Sequence, residues 1–171
     1  MTNCQESDGC DTGACEGYPE GPCLTPPEYP YTMALFTLAD STGFFQNDYY
    51  KVSAFGGFNC DIAISPIEGT FRHEINNPKF CQATTKCTRN LLIFCPDNLR
   101  WDGLWPLVGC LPGGSDDCNK SGDEGFEFYR HYCPTSYIDK CDERTSEFQC
   151  GGVDGPGTSA EYLVEIDCPP L

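Results

Sequence analysis

The chain has 171 residues, a length that suits one domain. Ten basic residues against 26 acidic ones give a formal charge of −16, which excludes nucleic acid and anionic membrane surfaces as partners. Fourteen cysteines, about 8% of the chain, mark a disulfide-dense secreted type and exclude an ordinary cytosolic enzyme.

Fourteen is even, so every cysteine can pair, but spacing alone leaves the connectivity open. With only two histidines, His73 and His131, and no CxxC pair, neither a metal site nor a cofactor is expected. No G-x-S-x-G or H-E-x-x-H motif surrounds the histidines, which read as surface or packing residues. No apolar run approaches the roughly 18 residues that cross a bilayer, so no membrane span is expected.

Residues 1–30 hold Cys4, Cys10, Cys15 and Cys23 among Gly, Pro, Asp and Glu. Too few apolar side chains are present for a core, so a small module of loops held by crosslinks is expected. No leader precedes Cys4, and the chain therefore reads as a mature or shortened form of an extracellular protein. Pro26-Pro27 opens the β-rich part. Thr32–Asp40 (TMALFTLAD) alternates like a half-buried strand, and STGFFQND follows as a turn. The stretch Asp48–Pro66 (DYYKVSAFGGFNCDIAISP) begins as a strand in which Tyr50, Val52 and Ala54 alternate against Tyr49, Lys51 and Ser53. It turns at Gly56-Gly57 and re-enters a strand at Phe58. Thr70–Ile75 reads as a further strand and NNPKF as a turn. Residues 81–132 form a cysteine-containing loop and helix module, whose Gly/Pro-rich part carries Trp101 and Trp105 toward solvent. Asn119-Lys120-Ser121 is an N-glycosylation sequon. The end of the chain is a strand alternating through Tyr162, Val164 and Ile166. A β-sandwich core is thus expected from residues 31–80 and 133–171, in one unit with both modules.

Three stretches carry a resemblance to the thaumatin-like, pathogenesis-related proteins. CDTGAC (Cys10–Cys15) is one. In the second, Tyr50, Val52, Ser53, Gly57, Phe58, Asn59, Ser65 and Pro66 fall on the family's signature. In the third, Phe128–Cys150, the matching residues are Cys133, Pro134, Tyr137, Asp142, Thr145, Ser146, Phe148 and Cys150. Cys95, Pro96 and Leu99 resemble the end of a short family helix, and AEYLVEIDCPPL resembles the closing strand. The resemblance implies an all-β fold, a thaumatin-like β-sandwich with disulfide-rich loop modules, short of a first segment that supplies several strands. It makes residues 1–30 a small disulfide-rich hairpin module and implies the disulfides Cys4–Cys10, Cys15–Cys23, Cys81–Cys150, Cys87–Cys133 and Cys95–Cys110. Cys168 matches a cysteine whose family partner lies in the missing segment, and Cys60, Cys118 and Cys141 need new partners or are free thiols.

The family presents an acidic cleft of one arginine, one glutamate and three aspartates, tied to antifungal action and, in some members, weak endo-β-1,3-glucanase activity. Glycoside hydrolysis needs two carboxylates about 5–9.5 Å apart, one kept protonated by its surroundings. Here the resemblance places Leu35 at the glutamate and Lys51 and Gly56 at two aspartates, while the arginine either falls at Met1 or is lost with the upstream strands. Asp142 alone remains, with Glu143 beside it. Asp116-Asp117 reads as a solvated acidic loop. No catalytic residue is therefore expected. The function expected is a secreted, defence-related protein that binds β-1,3-glucan or a similar cell-wall polysaccharide without catalysis. Asp142, Glu143, Tyr50, Phe58 and Tyr137 are the expected contacts, although most aromatic rings should fill the core. The alternative is a structural component of an extracellular assembly, in which a partner strand completes an exposed sandwich edge. An active glucanase ranks third.

Overall fold

A computed structural model describes residues 29–74, 76–87, 91–102, 107–112, 123–142 and 146–168. Its centre is β2 (Asp48–Ser53), where the alternation seen in the sequence sends Asp48, Tyr50 and Val52 inward. On one side β2 pairs antiparallel with β1 (Met33–Thr37), setting Leu35 opposite Lys51 and Phe36 opposite Tyr50. The third strand of this sheet, β6 (Phe148–Cys150), lies on its other side, with Phe148 opposite Tyr50. The facing sheet joins β3 (Asp61–Pro66) to β7 (Tyr162–Asp167), with Ile62 opposite Ile166 and Ile64 opposite Val164. Tyr50, Val52, Ile62, Ile64, Phe71, Phe80 and Phe148 form the core between the sheets. The Tyr50 ring stands 5.8 Å from Phe148 and 5.1 Å from Tyr162, within the range where aromatic pairs add to simple burial. The regular elements among the described residues are mostly strands, with one short α-helix, so the class is all-β, as expected.

Asp48 ties the two sheets together. It is fully buried, and its Oδ1 accepts from the Ala39 N–H at 2.7 Å. Its Oδ2 accepts from the Ala160 N–H at 2.9 Å and the Tyr162 hydroxyl at 2.7 Å. A buried carboxylate is tolerated only with such compensation.

A second cluster gathers Ala54, Phe58, Leu91, Tyr129 and Ile138 around the disulfides Cys87–Cys133 and Cys95–Cys110. Beside it runs a short ribbon of β4 (Arg100–Asp102) and β5 (Leu107–Cys110). The helix α1 (Glu124–Tyr132) was not evident in the pattern of the sequence. Its start is set by Asp123, whose Oδ1 accepts from Gly125 N at 2.9 Å and Phe126 N at 3.2 Å. Gly57 (φ +95°) lets Phe58 meet Cys110, with reciprocal main-chain bonds of 2.8 Å. A Cβ at position 57 would come within 2.5 Å of the Cys110 carbonyl oxygen.

Cys81–Cys150 is a third disulfide, and these three pairs coincide with those the resemblance implies. The fourth, Cys60–Cys168, joins the two cysteines flanking the β3–β7 ladder, where strand pairing brings their Cα atoms to 4.2 Å. Cys141 is oxidised as well. Two local expectations change. The described part of Thr70–Ile75, residues 70–74, is not a strand: Phe71 makes one bridge to Gly152, whose chain then leaves into a turn. The expected helix before Cys95 is a turn at residues 91–94, followed by a 3-10 turn at Asp97–Leu99 after Pro96, which cannot donate. Cys4, Cys10, Cys15, Cys23, Trp105, Cys118, Asn119 and Glu143 lie outside the described residues.

Candidate functional site

Period-two alternation that buries Tyr50 and Val52 turns Leu35, Tyr49 and Lys51 to the outer face of the same sheet. There Leu35, Phe36, Thr37, Tyr49, Tyr50, Lys51 and Glu147 line a shallow groove of about 250 Å³. Lys51 dominates it. Its Nζ lies 3.9 Å from a Glu147 carboxylate oxygen and 4.3 Å from the centroid of the Tyr137 ring. Tyr137 is held beside β2 by main-chain bonds, its N–H donating to Val52 O at 2.8 Å and its carbonyl accepting from Ala54 N at 2.9 Å. The ring also stacks on Phe55 at 5.7 Å. Among the described lining residues Glu147 is the one carboxylate, and Lys51 sits against it. Such a surface offers hydroxyls, one ion pair and apolar ring edges. It does not offer the two separated carboxylates that glycoside cleavage needs.

Gly56, which the resemblance sets at a cleft aspartate position, packs against the buried Tyr31, whose N–H donates to the Gly56 carbonyl at 2.9 Å. A Cβ at residue 56 would fall 2.4 Å from the Tyr31 ring. No side chain fits there without moving Tyr31, so the loss of that carboxylate is built into the packing.

The expected sugar contacts separate. Tyr50 is 1% exposed and Phe58 3%, and they belong to different core clusters. Their burial corrects the expectation that they offer faces to a ligand. The Tyr50 hydroxyl donates to the Gln82 carbonyl at 2.5 Å, and burial, with Asp48 nearby, holds its pKa far above 10.0. Asp142 is likewise a structural group. It is 7% exposed, its Oδ2 accepts from Ile138 N at 3.1 Å and Asp139 N at 3.3 Å, and its Oδ1 pairs with Arg130. This carboxylate closes a tight loop and pins it to α1. Of the four that are described, Tyr137 lies under Lys51 beside the groove, and Tyr50 borders the groove while its ring is buried in the core. Glu147, Thr37 and Tyr49 were missed. They become neighbours only through the β1–β2–β6 register, and that pairing has no signal in the local sequence.

No helix among the described residues is long and apolar enough to cross a membrane. Residues 1–166 match the family model described as Thaumatin family. The chain is 30% identical over 160 residues to the pathogenesis-related 5 protein Jun a 3.0101 of Juniperus ashei, covering 94% of this chain and 50% of that one. It is 29% identical over 146 residues to a thaumatin-like protein of Actinidia deliciosa, covering 82% and 58%. It is 27% identical over 187 residues to thaumatin-like protein 2 of Prunus persica, covering 97% and 64%. The chain thus spans about half to two thirds of the length of these relatives. With its β-rich fold and its match over nearly the whole sequence, the chain belongs to the thaumatin family.

Proposed function

We propose that this is a secreted, defence-related protein whose outer groove binds a neutral cell-wall glucan and does not cleave it. The defence association rests on kinship with pathogenesis-related proteins. The observation that carries the rest is Lys51. It replaces a cleft carboxylate, covers Tyr137 and is paired with the carboxylate of Glu147. Among the described lining residues that pairing leaves no uncommitted acid to protonate a leaving group, while Thr37, Tyr49 and the Lys51–Glu147 pair can hydrogen-bond sugar hydroxyls. Leu35, opposite Lys51, supplies the apolar wall that carbohydrate C–H faces require. A glucan extends beyond so small a groove, so binding is expected to be modest and repeated along the polymer.

The test is sedimentation with insoluble β-1,3-glucan at moderate salt, with soluble laminarin as competitor and cellulose as control. Competed binding that weakens in Lys51→Ala and Leu35→Lys, with no release of reducing ends, is the expected result. Absence of binding by protein shown to be folded and oxidised overturns the glucan reading. Release of reducing ends overturns the non-catalytic one.

A further inference from the structure

The groove beside Lys51 is too small for a polymer, so a bound glucan continues along the sheet, and the strands allow it two directions. Met33 shares the outer face of β1 with Leu35 and Thr37, because side chains alternate along a strand. From Thr37 to Met33 this row spans about 13 Å. It runs on to Tyr31, whose N–H donates to Gly56 O at 2.9 Å. A pair of rings keeps pace with it along β2. Tyr137 lies under the Lys51 ammonium at 4.3 Å and stacks on Phe55 at 5.7 Å, with 29° between the ring planes. Phe55 precedes Gly56 in the chain, so the two rows converge there.

Tyr31 takes the space that a side chain on Gly56 would need, and on Tyr31 lies a second ring. Tyr29 stacks on it at 5.3 Å, with the planes only 6° apart. Tyr31 is 8% exposed and Tyr29 50%, so Tyr29 is the ring that presents a face. Burial raises the Tyr31 hydroxyl above its ordinary pKa, and the charge of Tyr29 and a hydrogen bond to it add to the rise. The two rings are thus joined at their hydroxyls as well as their faces, which holds Tyr29 in place. The other direction lacks such a platform. There Phe45 meets Tyr49 at 72° and Phe44 meets Phe45 at 85°, edge against face. The C–H face of a sugar needs the face of a ring, as parallel stacks supply.

We infer that the site takes an internal run of several sugar units of a linear glucan, laid from the Lys51 groove across Met33 to a terminal aromatic subsite at Tyr29. The inference rests on the glucan reading of the groove and adds to it a direction, a length and a second contact point.

The test compares laminaribiose with laminarihexaose, each titrated into the full oxidised chain and followed by nuclear magnetic resonance. The hexaose should bind at least about thirtyfold more tightly, well beyond the roughly fivefold that its additional placements give by themselves. The hexaose alone should shift the Tyr29 ring resonances, a readout that needs no variant. Tyr29→Ala should reduce the ratio to about fivefold and Tyr29→Phe should keep it. Lys51→Ala should weaken both sugars, and Phe44→Ala neither. A ratio of about fivefold or less in the unaltered chain overturns the inference and leaves the glucan reading standing. So does a ratio that survives Tyr29→Ala, or one that Phe44→Ala removes. Binding of neither sugar overturns both.

Discussion

Asp48 is the point at which a single substitution should most damage the sandwich. Its two oxygens take three donors, from Ala39, Ala160 and Tyr162, in a site with no solvent exposure. Asp48→Ala leaves two main-chain N–H groups and one hydroxyl without partners and opens a small void. Each stranded buried donor costs about 1–3 kcal/mol, and the void lets water or the tyrosine rotamer recover part of that, so the net loss should be about 3–5 kcal/mol. Asp48→Asn keeps the shape but replaces one acceptor by an NH₂ facing a donor, for a loss of about 1–3 kcal/mol. Tyr162→Phe removes one donor and leaves the carboxylate with two, for about 1–2 kcal/mol. The assay is equilibrium guanidinium unfolding with disulfides intact, and the Asp48→Ala/Tyr162→Phe cycle should show a coupling of about 1 kcal/mol or more. An Asp48→Ala loss below about 1 kcal/mol, with unchanged dependence on denaturant, would refute the assignment of Asp48 as the tie between the sheets.

Burial holds the hydroxyls of Tyr50, Tyr129 and Tyr162 well above the ordinary 10.0, with Asp48 adding to Tyr50 and Tyr162. The unfolded chain therefore loses these protons first, and stability, complete below about pH 10, should fall steadily as pH rises beyond it. Ultraviolet difference titration should show these three silent until the fold is lost. Cys60–Cys168 closes a loop with a sequence separation of 108, so the double serine variant should lose about 4–5 kcal/mol on the chain-entropy account, measured by thermal unfolding. Gly56→Asp, the substitution that would restore a cleft carboxylate, should destabilise by about 1–3 kcal/mol through Tyr31 and give no hydrolysis of laminarin. Arg130→Ala strips the partly exposed partner from Asp142 and should cost about 1–3 kcal/mol, read as a lowered melting temperature.

What was legible in the sequence follows physical range. The strand through Tyr50 and Val52 is written in local alternation, and the turn at Gly56-Gly57 in residues that few others can replace. The helix at Glu124–Tyr132 was harder, because all its large apolar residues are aromatic and sit close to a cysteine block that the family pattern reads as one motif. Its Asp123 cap was the available clue. Three kinds of fact lay beyond local reading. The burial of Phe58 depends on a bridge to Cys110, far along the chain. The meeting of Cys60 with Cys168 depends on β3 pairing with β7. The role of Asp142 depends on a loop that curls back onto its own carboxylate.

The same geometry explains how the family scaffold can persist while the residues that the resemblance sets at its cleft differ. Along β1 and β2, inward and outward positions alternate residue by residue, so core and groove are interleaved on the same strands. Tyr50 and Val52 each touch several core partners, and a change at either disturbs the packing between both sheets. Leu35 and Lys51 face each other on the outside, where exchange of a carboxylate for an alkyl chain or an ammonium alters field and wetting but not the core. Gly56 is the exception: its neighbour Tyr31 has taken the space a side chain would need, so that position can no longer revert alone. A cleft altered in this way can drift toward neutral ligands by single outward substitutions. On the non-catalytic reading proposed for the groove, glycoside cleavage would require both a repacked Tyr31 and a carboxylate released from Lys51.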